Sequence, residues 1–306
     1  MLRYTLRRLM QGLFTIFAVV TITFIVGRLA GSPAAQLLPE AATQAEIDAL
    51  NAELGFDKPV TEQYLTYLQG LLVGNFQDSF RIQGTSSMKL VLERLPSSLL
   101  LGAVGLAIGL LLAVTAVFII QYANSRRLRL GLLALGSLRS SIPDFFFGLI
   151  LVVIFAVQLQ MLPSLGDGTI WHLIMPALTI ATAQFVVYMR LFDSSMTQAG
   201  AEDFVRTAYA KGEKPSFVMF REMTPNALLP VLTLAGMNLG TFLGGLVIIE
   251  NVFAWPGLGQ LIINGVYTRD FPVVQSGLII VAVLFVLANL AVDLLQAAID
   301  PRVKLS

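Results

Sequence analysis

Long stretches of this chain carry no charged side chain, and their lengths approach what a helix needs to cross a bilayer. A membrane-spanning helix takes about 20 mostly apolar residues, and six windows come near that length. The first is Leu9–Gly27. The second lies within Leu95–Ser125, a charge-free run too long for one straight span, and is placed near Ser97–Gln121. The third covers Phe145–Gln160 and is expected to begin near Leu135, so that it takes in Arg139 and Asp144. The fourth is near Trp171–Met189, the fifth near Ala227–Ile249 and the sixth near Ser276–Leu295. The pattern predicts an all-α polytopic membrane protein with about six transmembrane helices. The first window also has the look of a secretory leader, with Arg3, Arg7 and Arg8 before it and Ser32-Pro33-Ala34-Ala35 after it. Its apolar core is longer than the 7–15 residues of such leaders, so it is read as a span.

Between the first two windows the pattern changes to that of short surface helices. Thr43-Gln44-Ala45-Glu46 is a capping box, in which the threonine and glutamate side chains satisfy each other's backbone N–H groups. Ile47, Leu50 and Leu54 follow at helical spacing before Gly55. Pro59 precedes a second helix carrying Tyr64, Tyr67, Leu68, Leu71 and Leu72, ended by Gly74. These helices are expected to lie on the outer membrane surface or to cap the bundle, with apolar faces that serve packing. The domain plan is therefore an N-terminus and first span over 1–30, an extracytoplasmic loop over 31–96, and a membrane core over 97–306.

Composition and charge sharpen this plan. Apolar residues make up 56% of the 306 and charged residues 13%, against roughly 25% charged in soluble domains. Mean hydropathy is +0.77. So few charges cannot cover the surface of a soluble globule of this size. The net charge of +1 argues against a nucleic-acid partner. With no cysteine and a single histidine, disulfides, thiolate chemistry and multi-histidine metal sites are excluded. Lys and Arg favour cytoplasmic loops. Arg126, Arg127 and Arg129 lie between the second and third windows, and Arg190, Arg206, Lys211, Lys214 and Arg221 between the fourth and fifth. The segment Gly31–Pro96 instead holds eight acidic and four basic residues. Both termini are thus expected to be cytoplasmic.

The inner loop between the fourth and fifth windows, about residues 199–225, carries the most information. Asp203-Phe204-Val205-Arg206-Thr207-Ala208-Tyr209-Ala210-Lys211 reads as a helix, stopped by Gly212 and then Pro215. Ser216 is expected to cap a second short helix, ended by Pro225. Small residues, aromatics (Phe204, Tyr209, Phe217, Phe220) and scattered charge on this projection suit docking into a groove of a partner protein.

This loop resembles the cytoplasmic EAA loop of ABC-importer permeases, E-A-A-x3-G-x9-I-x-L-P. Here it falls on Arg206-Thr207-Ala208, Gly212 and Glu222-Met223-Thr224-Pro225, with the Gly-to-Pro spacing kept and Arg206, Glu222 and Thr224 replacing Glu, Ile and Leu. Asp203–Gly212 is similar to the form used by the oligopeptide/dipeptide/nickel branch, D-[FY]-[VIM]-R-T-A-x-A-K-G. Leu54-Gly55-Phe56-Asp57-Lys58-Pro59-Val60, Ser141-Ile142-Pro143, Met175–Thr179, Asn226–Pro230, Glu250–Gly259, Arg269–Gln275 and Asp300-Pro301-Arg302 follow in that branch's order. Asn75 stands where the branch usually has Asp, and Gln77 where Gly is common. The chain resembles the first, B-type permease.

The resemblance implies a type I ABC-importer permease fold in the inner (plasma) membrane. It implies a sister C-type permease, two ATP-binding subunits that hold ATP and Mg, and an extracytoplasmic substrate-binding protein. Peptides, glutathione, nickel chelates and peptide-like antibiotics all suit the branch. Asp203, Phe204, Arg206, Thr207, Ala208, Tyr209, Ala210, Lys211, Gly212 and Pro225 would then form the ATPase-coupling segment. The sequence agrees on the division of labour: no G-x-x-x-x-G-K-[ST] phosphate loop occurs in it, and no catalytic residue or cofactor is expected in this chain.

Within the spans, Gly236, Gly240 and Gly244, with Gly245 alongside, form a stripe that serves close helix packing, a pathway wall or the seam with the sister permease. Gly102, Gly105 and Gly109 repeat the pattern in the second span. Ionisable residues at membrane depth are costly and so draw attention. Arg139 and Asp144 could pair, Glu250 could line the outer mouth or cap the fifth span, and Asp293 with Asn289 suits a structural hydrogen bond. His172, beside Trp171, is read as structural. An alternative is a self-sufficient secondary transporter or channel using Arg139, Asp144, Glu250 and Asp293 as coupling charges. A non-transporting membrane scaffold is a third.

Overall fold

The computed structural model describes residues 2–29, 31, 34–38 and 41–299, with the side chains of 2–5, 35, 36, 239–243, 245 and 293–299 outside the description. The side chains of Asp293 and the positions of Asp300-Pro301-Arg302 lie outside it, as do Gly240 and Gly245 at side-chain level. Among the described residues the chain is helical almost throughout. The helices are α1 (Leu2–Leu29), α2 (Ala34–Leu37), α3 (Gln44–Glu53), α4 (Val60–Leu72), α5 (Ser87–Ala123), α6 (Arg126–Ser140) and α7 (Asp144–Leu151), the last continuing as a π-helical turn over Val152–Gln158. They are followed by α8 (Ile170–Ala201), α9 (Asp203–Ala210), α10 (Pro215–Phe217), α11 (Thr224–Val252), α12 (Leu258–Thr268) and α13 (Phe271–Ile299).

Four helices are long and apolar enough to cross a membrane among the described residues: Leu6–Leu29, Ser87–Ala123, Ile170–Ala201 and Phe271–Val292. The pair α6 and α7 would make a fifth, bent by 99°. The expectation of one third span running from about Leu135 is corrected here. Pro143 has no N–H to give, and it disfavours a helical conformation in the residue before it, so the helix breaks at Ser141–Pro143 and restarts at Asp144. Arg139 and Asp144 thus face each other across the bend. α11 has 29 residues, about 43 Å of helix, and no charged residue before Glu250. The span helices turn large apolar side chains outward, such as Leu13 (66% exposed), Phe14 (73%) and Leu111 (66%). Facing water these would be unfavourable; facing lipid they are at no disadvantage.

The chain folds as two units. The first comprises residues up to Ser97 and Pro256–Val286. In it α1, α4 and α13 bury Val20, Phe24, Tyr67 and Ile279 together, and Tyr64 Oη lies 2.7 Å from Thr21 Oγ1. The capping box of α3 is formed, with Thr43 N donating to Glu46 Oε2 at 2.7 Å. Gly55 closes α3 and Gly74 closes α4, both with positive φ. After α4 the chain makes a tight loop in which Gln77 has φ +63° and donates its N–H to Asn75 Oδ1 at 3.0 Å. The loop is tied down by Asp270, whose carboxylate accepts from Ser79 Oγ and from Phe80 N, and by the Ser87–Ser276 hydroxyl pair at 2.7 Å.

The second unit comprises Ser98–Trp255 and the chain from Leu287. α8 and α11 form its most extensive helix pair. One core gathers Leu101, Met175, Ile180, Leu246 and Phe253. The other gathers Val117, Tyr188, Phe192, Met196, Val218 and Val231, and α9 is attached to that second core. α5 approaches α8 closely because it has glycines there. A Cβ at Gly105 would lie 2.6 Å from Ile180 Cγ2, and one at Gly109 would lie 2.8 Å from the Ala181 carbonyl oxygen. These glycines serve packing.

Candidate functional site

The loop between α8 and α11 forms from local signals. Glu202 is extended, with ψ 154°, and separates α8 from α9. α9 is eight residues long and amphipathic. Val205 and Ala208, three apart on one face, are 2% and 8% exposed and join the core of Met196, Val218 and Met223. Asp203, Phe204, Arg206, Thr207, Tyr209, Ala210 and Lys211 all remain exposed. Ala208 therefore anchors the helix, and the other face is free. Arg206 Nη1 reaches Asp203 Oδ1 at 3.5 Å with both side chains open to solvent, a contact of the surface kind that contributes little to stability. Thr207 Oγ1 donates to the Asp203 carbonyl at 2.9 Å.

Gly212 ends α9 with a Schellman motif. Its N–H donates to the Tyr209 carbonyl at 3.0 Å, and Glu213 N–H donates to the Ala208 carbonyl at 3.2 Å. These are the 5→2 and 6→1 bonds of that cap. Gly212 has φ +84° and no atom within 4 Å of where a Cβ would stand. Its requirement is conformational, and space is not limiting.

The second arm differs from its expected form. Lys214 is the extended residue before the helix, and Pro215 takes the first helical position, where a missing N–H costs nothing. Ser216 is inside the helix. Pro225 does not end the arm: Pro215–Val252 runs on without interruption through a π-helical turn over Val218–Met223. The wider turn carries the helix past the proline. Thr224 Oγ1 donates to the Met219 carbonyl at 2.8 Å, and Asn226 Nδ2 to the Glu222 carbonyl at 2.9 Å. Val218 and Met219 face inward, while Phe217 and Phe220 are exposed; the Phe220 ring still rests edge-on against Phe118 at 4.9 Å. The structure thus brings Phe204, Tyr209, Phe217 and Phe220 to the surface of one helix–turn–helix projection.

Of the charges expected at membrane depth, Arg139, Asp144 and Glu250 are bonded internally. Arg139 Nη2 donates to Asp144 Oδ1 at 2.8 Å, Nε to Thr182 Oγ1 at 3.0 Å and Nη1 to the Ile142 carbonyl at 3.0 Å, with the guanidinium over the Phe147 ring at 4.2 Å. The ion pair closes the α6–α7 bend, and the bonds of Arg139 to Thr182 Oγ1 and the Thr179 carbonyl tie it to α8. Glu250 is completely buried, accepts from Ser98 Oγ and stands on no open wall. Its carbonyl accepts from Trp255 N–H at 2.8 Å. His172 Nδ1 accepts from Thr169 N–H at 3.0 Å and caps α8. Among the described residues no group of three or more acidic or histidine side chains is placed to hold a metal ion. Of the glycine stripe, Gly236 meets Val292 of α13, with 2.8 Å left for a Cβ, whereas nothing lies within 4 Å at Gly244.

One feature escaped the sequence reading, which weighed ionisable residues and singled out neither Gln184 nor Asn238. Asn238 Nδ2 donates to Gln184 Oε1 at 2.8 Å and to Tyr188 Oη at 3.1 Å. The signal was available: Asn238 is at the centre of the charge-free window Ala227–Ile249, and Gln184 lies inside Trp171–Met189.

Two family models together match nearly the whole chain. Residues 105–305 match "Binding-protein-dependent transport system inner membrane component", and residues 1–102 match the N-terminal model of the same kind of membrane component. A Brucella suis protein with a peptide-permease name is 37% identical over 100% of both chains. The oligopeptide transport system permease protein AppB of Bacillus subtilis is 33% identical over 99% of this chain and 100% of its own. The glutathione transport system permease protein GsiC of Pectobacterium atrosepticum is 35% identical over 99% of each. Among solved structures, an inward-facing MetNI methionine ABC transporter chain shares the fold, with a TM-score of 0.57 at 20% identity over 70% of this chain and 97% of that one.

Proposed function

The chain belongs to the binding-protein-dependent transport system inner membrane component family and is a permease subunit of an ABC importer; on that premise we propose that it conducts peptides or peptide-like solutes and is driven through α9. The peptide class is supported by the names of its full-length relatives, which include peptide, oligopeptide and glutathione permeases. The drive is supported by the exposed face of α9. A membrane protein that leaves Phe204, Tyr209, Phe217 and Phe220 uncovered on a cytoplasmic projection has a surface suited to a protein partner.

In this reading α9 seats in a groove of an ATP-binding subunit that carries ATP and Mg. A sister permease completes the pathway, and an extracytoplasmic binding protein delivers the solute. Both termini are cytoplasmic, with α11 and the bent α6–α7 pair completing six crossings. Nucleotide-driven movement of the ATPases displaces α9, and the anchors Val205 and Ala208 pass that displacement into the core shared with α8 and α11. The charge-coupled alternative loses support because Arg139, Asp144 and Glu250 are held in internal bonds.

The test is uptake by the complete complex in proteoliposomes. Tyr209→Ala removes an exposed aromatic and no internal contact of the core. Uptake is expected to fall at least about tenfold, the loss typical of a truncated interface anchor, with the chain still inserted and assembled with its sister permease. Unchanged uptake with Tyr209→Ala and Phe204→Ala together would remove α9 from the drive.

A further inference from the structure

Asn238 is the central residue of α11, and Gln184 lies within two residues of the centre of α8. At 1.5 Å per residue Asn238 is at the centre of the charge-free window Ala227–Ile249 and Gln184 about 6 Å from the centre of Trp171–Met189, which places both amides well inside a bilayer core about 30 Å thick and near its midplane. α5 reaches the same level. A Cβ at Gly109 would stand 3.1 Å from Gln184 Cβ, so the glycine lets that backbone come up against the glutamine.

Gln184 is only half used. Asn238 Nδ2 donates both of its hydrogens, to Gln184 Oε1 and Tyr188 Oη. Gln184 receives there, and among the described residues no acceptor meets its own Nε2. That nitrogen is also absent from the buried, unpartnered atoms, and Gln184 keeps part of its surface open. An amide N–H turned to hydrocarbon costs several kcal/mol, about 4–8 by transfer to cyclohexane, so an open donor at this depth belongs against water or a polar solute. Interhelical adhesion alone is met by the Asn238–Gln184 bond and gives the free N–H no role.

We propose that Gln184 and Asn238 line the solute pathway at the membrane midplane, with Gln184 Nε2 donating to a carbonyl or carboxylate oxygen of the passing solute. This inference rests on the permease reading and deepens it. Neutral amides match peptide groups, whose carbonyls need a donor once water is stripped away. Lacking charge, they hold the solute weakly enough to release it.

The chain has no cysteine, so Gln184→Cys gives a single thiol in it. A charged methanethiosulfonate reacts with the thiolate, which forms only where water reaches. In the full complex with sister permease and ATPases, Gln184→Cys is expected to be modified at least about tenfold faster than Leu111→Cys, on the lipid-facing side of α5. Asn238→Cys carries the same expectation should the first variant fail to assemble. Gln184→Leu is expected to lower uptake of peptides from a tryptic casein digest at least about fivefold, while ATP hydrolysis stimulated by the loaded binding protein stays within about twofold. Modification of both thiols as slow as at Leu111→Cys, or full uptake by Gln184→Leu, would overturn the proposal. Failure of the permease reading looks different: the unaltered complex would then show no ATP-dependent uptake.

Discussion

Gly212 is where a single residue decides whether the loop after α9 keeps its shape. Its positive φ and its two capping bonds fix where α9 stops and the chain turns back. Side chains with a Cβ lose about 1–2 kcal/mol in that backbone region, with Asn among the better tolerated. Gly212→Val is therefore expected to lower the amount of solute imported per ATP hydrolysed severalfold, and Gly212→Asn to keep most of it; proteoliposome assays reading both quantities check this. Equal behaviour of the two variants would place the glycine's role elsewhere. Gly212 was legible from its spacing to Pro225. Gln77 was legible only as a departure, a glutamine where glycine is common; the structure shows it in the left-handed region, held by Asn75. Gln184 and Asn238 were not read at all, because neutral amides do not disturb the charge pattern that drew attention to Arg139 and Glu250.

At the scale of the element, helix existence was plain from apolar runs and caps, while helix continuity was not. The capping box at Thr43, the stop at Gly55 and the α9 boundaries follow from local chemistry and appear where expected. Two prolines of similar sequence context behaved differently. Pro143 breaks its helix, whereas Pro225 lies just past a π-helical turn through which the helix continues. That turn buries Val218, Met219 and Met223, and whether a helix continues past a proline depends on such packing, which no periodicity records. The α3 cap also carries a pH dependence. The Thr43 N–H bonds Glu46 and holds its carboxyl below the usual 4.5. A lowered folded value means the contribution is present above about pH 4.5 and is lost as pH falls through the folded value. Hydrogen exchange of the α3 amides should therefore quicken, relative to other helices, once the pH drops below that range. Glu46→Gln, which can keep the reciprocal bond without titrating, is expected to abolish that change; an identical acid response in the variant would contradict the assignment.

For the whole molecule, the charge distribution is what the proposed orientation of a largely apolar chain rests on. Basic residues gather in the loops that the proposed orientation makes inner, and acidic ones in the segment before α5. Outward-facing Leu and Phe on the spans suit lipid, and the same exposure on α9 and the arm after it suits protein. The grouping of α12 and the first half of α13 with the N-terminal segments was hidden from the sequence, since it depends on contacts between residues about 200 apart, such as Ser79 with Asp270 and Ser87 with Ser276. The central claim is that α9 is the contact through which ATPases drive this permease. Its most direct test is a photo-crosslinking residue placed at Tyr209 of the assembled complex in membranes, with the same residue at Leu72 on α4 as reference. The account predicts a crosslink from position 209 to the ATP-binding subunit and none from position 72. No ATPase adduct from position 209, in a complex that still imports solute, would contradict it.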